Sequence, residues 1–443
     1  MFYHLFQYLE ELGMPGAGVF HYISFRSGIS MIASLIIAIW FGKWFIRKMK
    51  KSGKTEIEET RTTMNENPQQ KSQDCETCVN NVKNFKKNVP TMGGIIIIAA
   101  IVIPTLLFAQ LNNIYTILML VTTIWLGGLG FLDDYLKQKK HNKEGLSGKY
   151  KLLGQIALGF MVGAILYFSE SGAVIREKVS SDQPKNCDVE VVEVVGNSDC
   201  TGITEYSDTK STKTTIPFFK NNELDYSSLV SWAGENADKL AWIVFIIMTI
   251  LVVAAVSNGA NLTDGMDGLA TGTSAIIGAT LGILAYVSGN RVAAEYLNIL
   301  YIPNTGELMV YAAAFMGATI GFLWYNSYPA QIFMGDTGSL TLGGIIAVFA
   351  IIIKKELILP ILCGIFVVES LSVIIQNRYC KFYRRKHKLP AGVAVPVEKR
   401  PFRMAPLHHH YQKKGIPESK IVARFWIVTL LLAIISIVTL KLR

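Results

Sequence analysis

Cysteine, internal repetition and centrally placed charge are all scarce in this chain, and each scarcity removes a class of protein. Six cysteines in 443 residues are too few for a disulfide-built secreted scaffold. No stretch of about 20 to 50 residues recurs, so the repeated halves common in transporters are missing. The opening MFYHLFQYLEELG lacks the basic start of a secretory leader and carries two glutamates. No cleaved signal peptide is therefore expected, and the first apolar run reads as a retained span.

What the chain has in excess is apolar sequence. Hydrophobic residues make up 51% and mean hydropathy is +0.34, too apolar for an ordinary soluble domain. Ten runs have roughly the length needed to cross a hydrocarbon core: 22–47, 92–111, 114–134, 152–169, 239–257, 266–288, 308–325, 337–353, 356–377 and 421–440. The expected fold is an all-α polytopic integral membrane protein with about ten transmembrane helices, 1–443 forming a single membrane-embedded domain.

Orientation follows from lysine and arginine in the connections. KWFIRKMKKSGK follows the first run and KQKKHNKEGLSGKYK the third. Residues 378–420 hold twelve Lys/Arg against two Glu, whereas 170–238 hold thirteen Asp/Glu against six Lys/Arg. The basic loops are expected at the cytoplasm and both termini outside. The formal charge of +10 is then loop charge set by topology, and needs no nucleic-acid partner.

Two segments fall outside the ten-run frame. Residues 52–83 are polar and read as a mobile cytoplasmic loop insertion. Residues 170–238 form an external loop insertion, in which DVEVVEVVG alternates like a strand of a small subdomain. Cys187 and Cys200 lie in that outer loop, where a disulfide is permitted; the CETC pair, Cys75 and Cys78, is weak evidence for metal or redox work. Cys363 and Cys380 read as packing residues or free thiols.

The aspartates carry the functional signal. GFLDDYLK places Asp133 and Asp134 at the end of the third run. NGANLTDGMDGLA puts Asp264 and Asp267 between the fifth and sixth, and NSYPAQIFMGDTGS brings Asp336 just before the eighth. Asp and Asn also favour caps and turns, but here three separate segments deliver five aspartates to one membrane face, among glycines that permit close approach. None lies near the middle of a span. Carboxylates at a surface rich in lysine suit magnesium and phosphate groups, the requirements of phosphoryl transfer. His408, His409 and His410 in PLHHHYQKKG lack metalloprotease spacing, so a hydrogen-bonding role toward a ligand fits them better than a metal cage.

GFLDDYLK, NLTDGMDGLA, FMGDTGS, APLHHHYQKKG and VPTMGG together resemble the MraY family of phospho-N-acetylmuramoyl-pentapeptide transferases, within the polyprenyl-phosphate N-acetylhexosamine-1-phosphate transferases. The resemblance covers nearly all the chain except 52–83 and 170–238. It implies transfer of phospho-MurNAc-pentapeptide from UDP-MurNAc-pentapeptide to undecaprenyl phosphate at the cytoplasmic face of a bacterial inner membrane, giving lipid I and UMP with Mg2+. It also allows a homodimer.

Motif by motif, Asp133 matches the acid held to deprotonate the lipid phosphate or to attack as nucleophile. Asp134 is its partner near the metal, and Asp336 matches the magnesium ligand. Asn258, Asn261, Asp264 and Asp267 match residues lining the nucleotide and sugar-phosphate site. Lys86 and Lys137 match groups at phosphate, and Asn326 precedes the metal motif. His408 stands among the catalytic groups, with His409 and His410 on the nucleotide-sugar side. Departures from the family pattern are Asn88, Val89 and the pair Tyr411 and Gln412, none of them a group that the reaction requires. A sister enzyme moving GlcNAc-1-phosphate, an ion-coupled transporter and a non-catalytic scaffold are the rival readings.

Overall fold

The computed structural model of the chain describes residues 2–14, 16–51, 55–56, 89–139, 145–169, 172–179, 205–217, 223–297, 299–388, 390 and 395–440. Lys86, the CETC pair, Cys187, Cys200 and the DVEVVEVVG stretch lie outside the described residues.

A helix occupies each of the ten apolar runs. After α1 (Phe2–Glu11) come α2 (Ile23–Lys51), α3 (Gly94–Phe108), α4 (Ile114–Lys139) and α5 (Gly148–Phe168). They are followed by α6 (Ala237–Thr263), α7 (Leu269–Ser288), α8 (Leu308–Asn326) and α9 (Gly335–Ile352). The last are α10 (Gly364–Lys386), the short α11 (Leu407–Lys413) and α12 (Glu418–Thr439). Eight helices among the described residues are long and apolar enough to cross a membrane, and the chain is an all-α polytopic membrane protein.

Two runs depart from a plain span. The second yields only the 15-residue α3, which rises about 22 Å at 1.5 Å per residue and falls short of a hydrocarbon core of about 30 Å. The ninth is broken at Cys363, where Glu356–Leu362 and α10 meet at 76°.

α9 is the centre of the bundle. Every residue from Thr337 to Ile352 is buried, as expected of a helix apolar on all sides. α3, α4 and α6 pack around it. Several hydroxyls inside the spans return to the carbonyl one turn earlier, as Thr122 to Leu118 and Thr341 to Thr337 do, which pairs them within the apolar interior. α2 meets α8 along Ser30, Ser34, Ala38 and Gly42, a stripe of small residues spaced by four that lets two backbones approach. Ser30 and Ser34 donate across it to the carbonyls of Val310 and Ala314 at 3.1 and 2.7 Å. At the end of the bundle away from the aspartates, the buried guanidinium of Arg26 pairs with Glu307. Its Nη2 donates to Oε2 at 2.9 Å, Nη1 reaches the other carboxylate oxygen, and Gln110 N donates to Oε1 at 2.8 Å.

Among its described residues, the 170–238 segment holds two antiparallel pairs, Val174–Val179 with Glu205–Lys210 and Lys213–Thr215 with Glu223–Asp225. The second pair docks on the connection after α9. Thr215 N donates to Lys354 O at 3.0 Å, Lys355 Nζ donates to Thr215 Oγ1 at 2.6 Å, and Tyr226 OH donates to Glu356 Oε1 at 2.9 Å. Lys354 and Lys355 are both fully enclosed, and burial pulls their ammonium groups down from 10.5 to about 8 and about 7 despite Glu356 nearby. Between pH 7 and 10.5 the unfolded chain therefore holds a proton at Lys355 that the folded chain has released, so this lysine makes stability rise with pH across that window. Lys355→Met is expected to flatten the slope. Thermal midpoints of parent and variant in detergent at pH 7 and pH 9 check this, and parallel curves would refute it.

Candidate active site

The acidic residues meet because a helix lacks a side chain at one point. A Cβ on Gly130 of α4 would stand 2.4 Å from Asp336 O and 2.6 Å from Thr337 Cα. Only glycine lets α4 lie against the first turn of α9 there. One turn on, Asp134 reaches that first turn, whose N–H groups lack helical partners. Its Oδ1 accepts from Asp336 N at 3.2 Å, and its Oδ2 accepts from Thr337 N at 2.9 Å and from the Thr337 hydroxyl. Gly335 enters this turn at φ +72°, in the left-handed region. Asp134 thus caps the central helix from a neighbouring one, and this cap sets where Asp336 stands.

Asp133, Asp134 and Asp336 each offer a carboxylate oxygen within 4.8 Å of the others. Asp133 is fully enclosed and its Oδ1 accepts from Leu146 N at 2.6 Å. Two ammonium groups close the cluster. Lys137 Nζ lies 2.7 Å from Asp133 Oδ2 and 3.1 Å from Asp336 Oδ2, and Lys151 Nζ lies 2.9 Å from Asp133 Oδ2 and also contacts Asp336 Oδ2. Asn261 Nδ2 donates to Asp336 Oδ1 at 3.0 Å and to Ser339 Oγ at 2.8 Å. Three carboxylates against two lysines leave one negative charge. An all-oxygen donor set of that sign fits a hard divalent cation.

The glycine-rich turn after α6 has a different construction. Asp267 is buried and its Oδ2 accepts from Ala330 N at 3.0 Å, while its own N–H donates to Glu418 Oε1 at 3.0 Å. Asn326 Oδ1 accepts from Gly268 N and the Thr271 hydroxyl, and its Nδ2 donates to Ile332 O. These two side chains hold the turn against the connection between α8 and α9. Asp264 follows the last residue of α6 and is partly exposed. Residues 264–268 are a turn rather than a helix, so Asp264 and Asp267 do not share a helical face. Asn258 donates to Gln155 Oε1 at 2.8 Å, a turn of α6 away from Asn261.

The three histidines separate, as neighbours on a helix must. His408 is buried, with its backbone N donating to Glu369 Oε1 at 3.2 Å and its Nδ1 3.2 Å from Glu369 Oε2. His409 Nδ1 is 3.0 Å from Gln412 Oε1, and His410 Nδ1 accepts from Arg403 N at 3.0 Å. Partial burial, then the positive charges of Lys414 and Arg403, hold the His410 imidazole below the usual range. His408 lies between Glu369 and Gly265 on the aspartate turn, and its ring also meets that of His409, with centroids 4.2 Å apart.

Lys151 and Glu369 are absent from the sequence-derived set. Lys151 carried a signal, as a cation immediately before the fourth run and close to a junction of acids. Glu369 carried a stronger one, as a carboxylate set well inside an apolar run, thirteen residues past Glu356 at its edge.

A model for Glycosyl transferase family 4 matches residues 210–354. The chain is 53% identical to the phospho-N-acetylmuramoyl-pentapeptide-transferase of Parabacteroides distasonis, 54% to that of Phocaeicola vulgatus and 51% to that of Flavobacterium psychrophilum. In each case all of this chain and all of the relative are covered. Identity of this extent, spanning the acidic cluster, the aspartate turn and the histidine helix alike, means that the chain belongs to the phospho-N-acetylmuramoyl-pentapeptide-transferase family.

Proposed function

We propose that the protein transfers phospho-MurNAc-pentapeptide from UDP-MurNAc-pentapeptide to undecaprenyl phosphate, giving lipid I and UMP, at the cytoplasmic face of a bacterial inner membrane. The observation that carries this reading is the meeting of Asp133, Asp134 and Asp336 with Lys137 and Lys151 at one end of a membrane bundle, where a lipid-borne phosphate and a water-borne nucleotide can both arrive. The basic loops at that end support its cytoplasmic placement.

Asp336 and Asp133 would hold Mg2+, with Asp134 fixing their positions through its cap on α9. Bound there, the ion offsets the charge of two anionic reactants and polarises the diphosphate. Asp133 faces both lysines and is the group placed to take a proton from the lipid phosphate, whose second pKa near 6 demands little of a carboxylate base. Lys137 and Lys151, now on carboxylate oxygens, are the cations available to phosphate once a metal takes those oxygens. Lys86 is assigned to the same phosphate group. Asn258, Asn261 and Asp264 supply polar groups toward the sugar-nucleotide. Asp267 and Asn326 shape the same wall by holding its backbone, and His409 and His410 border it.

Purified protein is expected to release UMP from UDP-MurNAc-pentapeptide when undecaprenyl phosphate and Mg2+ are present, and to stop on chelation. A preference for UDP-GlcNAc in the same assay would favour the sister activity instead.

A further inference from the structure

Glu369 has no place in the chemistry above, yet it is a carboxylate without accessible surface on a helix rooted in an apolar span. Such a group is expensive to bury and has a reason to be there. One of its oxygens accepts the His408 backbone N–H, and the other lies 3.2 Å from Nδ1 of the same residue. Neither ring nitrogen completes a hydrogen bond: Nδ1 faces the Glu369 carboxylate, and on the far side of the ring Nε2 is buried as well. It sits so close to Gly265 that a Cβ there would come within 2.1 Å of it. The imidazole is therefore clamped between a carboxylate and the turn that carries Asp264 and Asp267.

A carboxylate can only accept, and a neutral imidazole has one N–H to give. Facing Glu369, that proton belongs on Nδ1, which leaves the Nε2 lone pair toward the turn. We propose that Glu369 is a positioning residue for the transfer reaction, fixing the His408 tautomer and ring so that its Nε2 side seats the turn carrying Asp264 and Asp267 against the nucleotide-sugar. This rests on the functional reading above and assigns Glu369 its part within it.

The plainer role for Glu369 is to anchor the start of α11 through the backbone N–H alone. Glu369→Gln separates the two. Its amide oxygen still accepts that N–H, but its NH2 then opposes Nδ1 and drives the proton to Nε2. A positioning role predicts a fall of about tenfold or more in kcat/KM for UDP-MurNAc-pentapeptide, with KM for undecaprenyl phosphate unchanged. His408→Gln should show a similar fall, and the double variant should be no worse than His408→Gln alone. In 15N-labelled parent protein the His408 shifts should report Nδ1–H and a bare Nε2.

A parent-like rate in Glu369→Gln, additive losses in the double variant, or an Nε2–H tautomer in the parent would each overturn the proposal. The labelled parent gives its answer even where the variant does not fold. Failure of the parent itself to release UMP would remove the functional reading, whereas a working parent beside a parent-like Glu369→Gln removes only this one.

Discussion

Asp336→Asn protein is expected to release UMP roughly 10³-fold more slowly than the parent, the scale seen when one charged group is taken from a preorganised phosphoryl or acyl site. The substitution keeps the shape of the side chain and removes its charge. Two carboxylates then face two lysines, and the net negative charge that favours a dication is gone. The loss should appear as a lower plateau in a Mg2+ titration together with a higher half-saturating concentration. Thermal stability should hardly change, because the helix cap belongs to Asp134.

Asp134→Asn makes the contrast. An amide cannot accept from Asp336 N and from the Thr337 N–H and hydroxyl with both of its heavy atoms, so activity and thermal midpoint should fall together, the latter by the equivalent of about 1 kcal/mol for a lost cap. Lys151→Gln, which leaves Lys137 in place, should cost less than either. An Asp336→Asn protein with parental turnover would end the reading of this cluster as the reaction centre.

The second large effect concerns folding. Arg26→Met is expected to destabilise the protein by about 3–5 kcal/mol, the usual consequence of stranding one member of a buried pair. Glu307 would keep the Gln110 N–H but lose both guanidinium contacts while still enclosed. Replacing both partners, Arg26→Met with Glu307→Leu, should recover most of the loss, since apolar groups of similar volume cost little there. Thermal inactivation in detergent of the single and double variants measures both. Equal loss in the two would mean that the pair contributes more than charge compensation.

The membrane-spanning helices were legible because each apolar run announces itself, and the acidic cluster because three separate segments bring aspartates to the same end of the spans. What stayed hidden depends on the third dimension. In the run 356–377 Pro360 and Gly364 flank the 76° break at Cys363, but a proline and a glycine mark where a helix can bend, not by how much. The five residues following α6 hold Asp264 and Asp267 three apart, a spacing that would suit a helical turn, but Gly268 adopts φ +77° and turns the chain. The strands formed at 174–179, 205–210, 213–215 and 223–225 rest on register with a partner strand, about thirty residues away for the first pair, a relation that alternation within one strand does not reveal. Asp134, Asp267 and Asn326 were recognisable as important, yet only their hydrogen bonds distinguish a group that holds the backbone from one open to a ligand. Glu369 is hidden in sequence because it sits inside a run, far along the chain from His408, and only the fold brings the two together.

The seat of Gly130 against Asp336 and Thr337 has a practical corollary. Reaction geometry here is measured out by how near two backbones can come, so a single methyl group at that position would act as a wedge and pull Asp133 and Asp134 away from Asp336. In a saturation survey of the gene, this residue, with no titratable or nucleophilic atom of its own, should prove as intolerant of change as the aspartates it brings together.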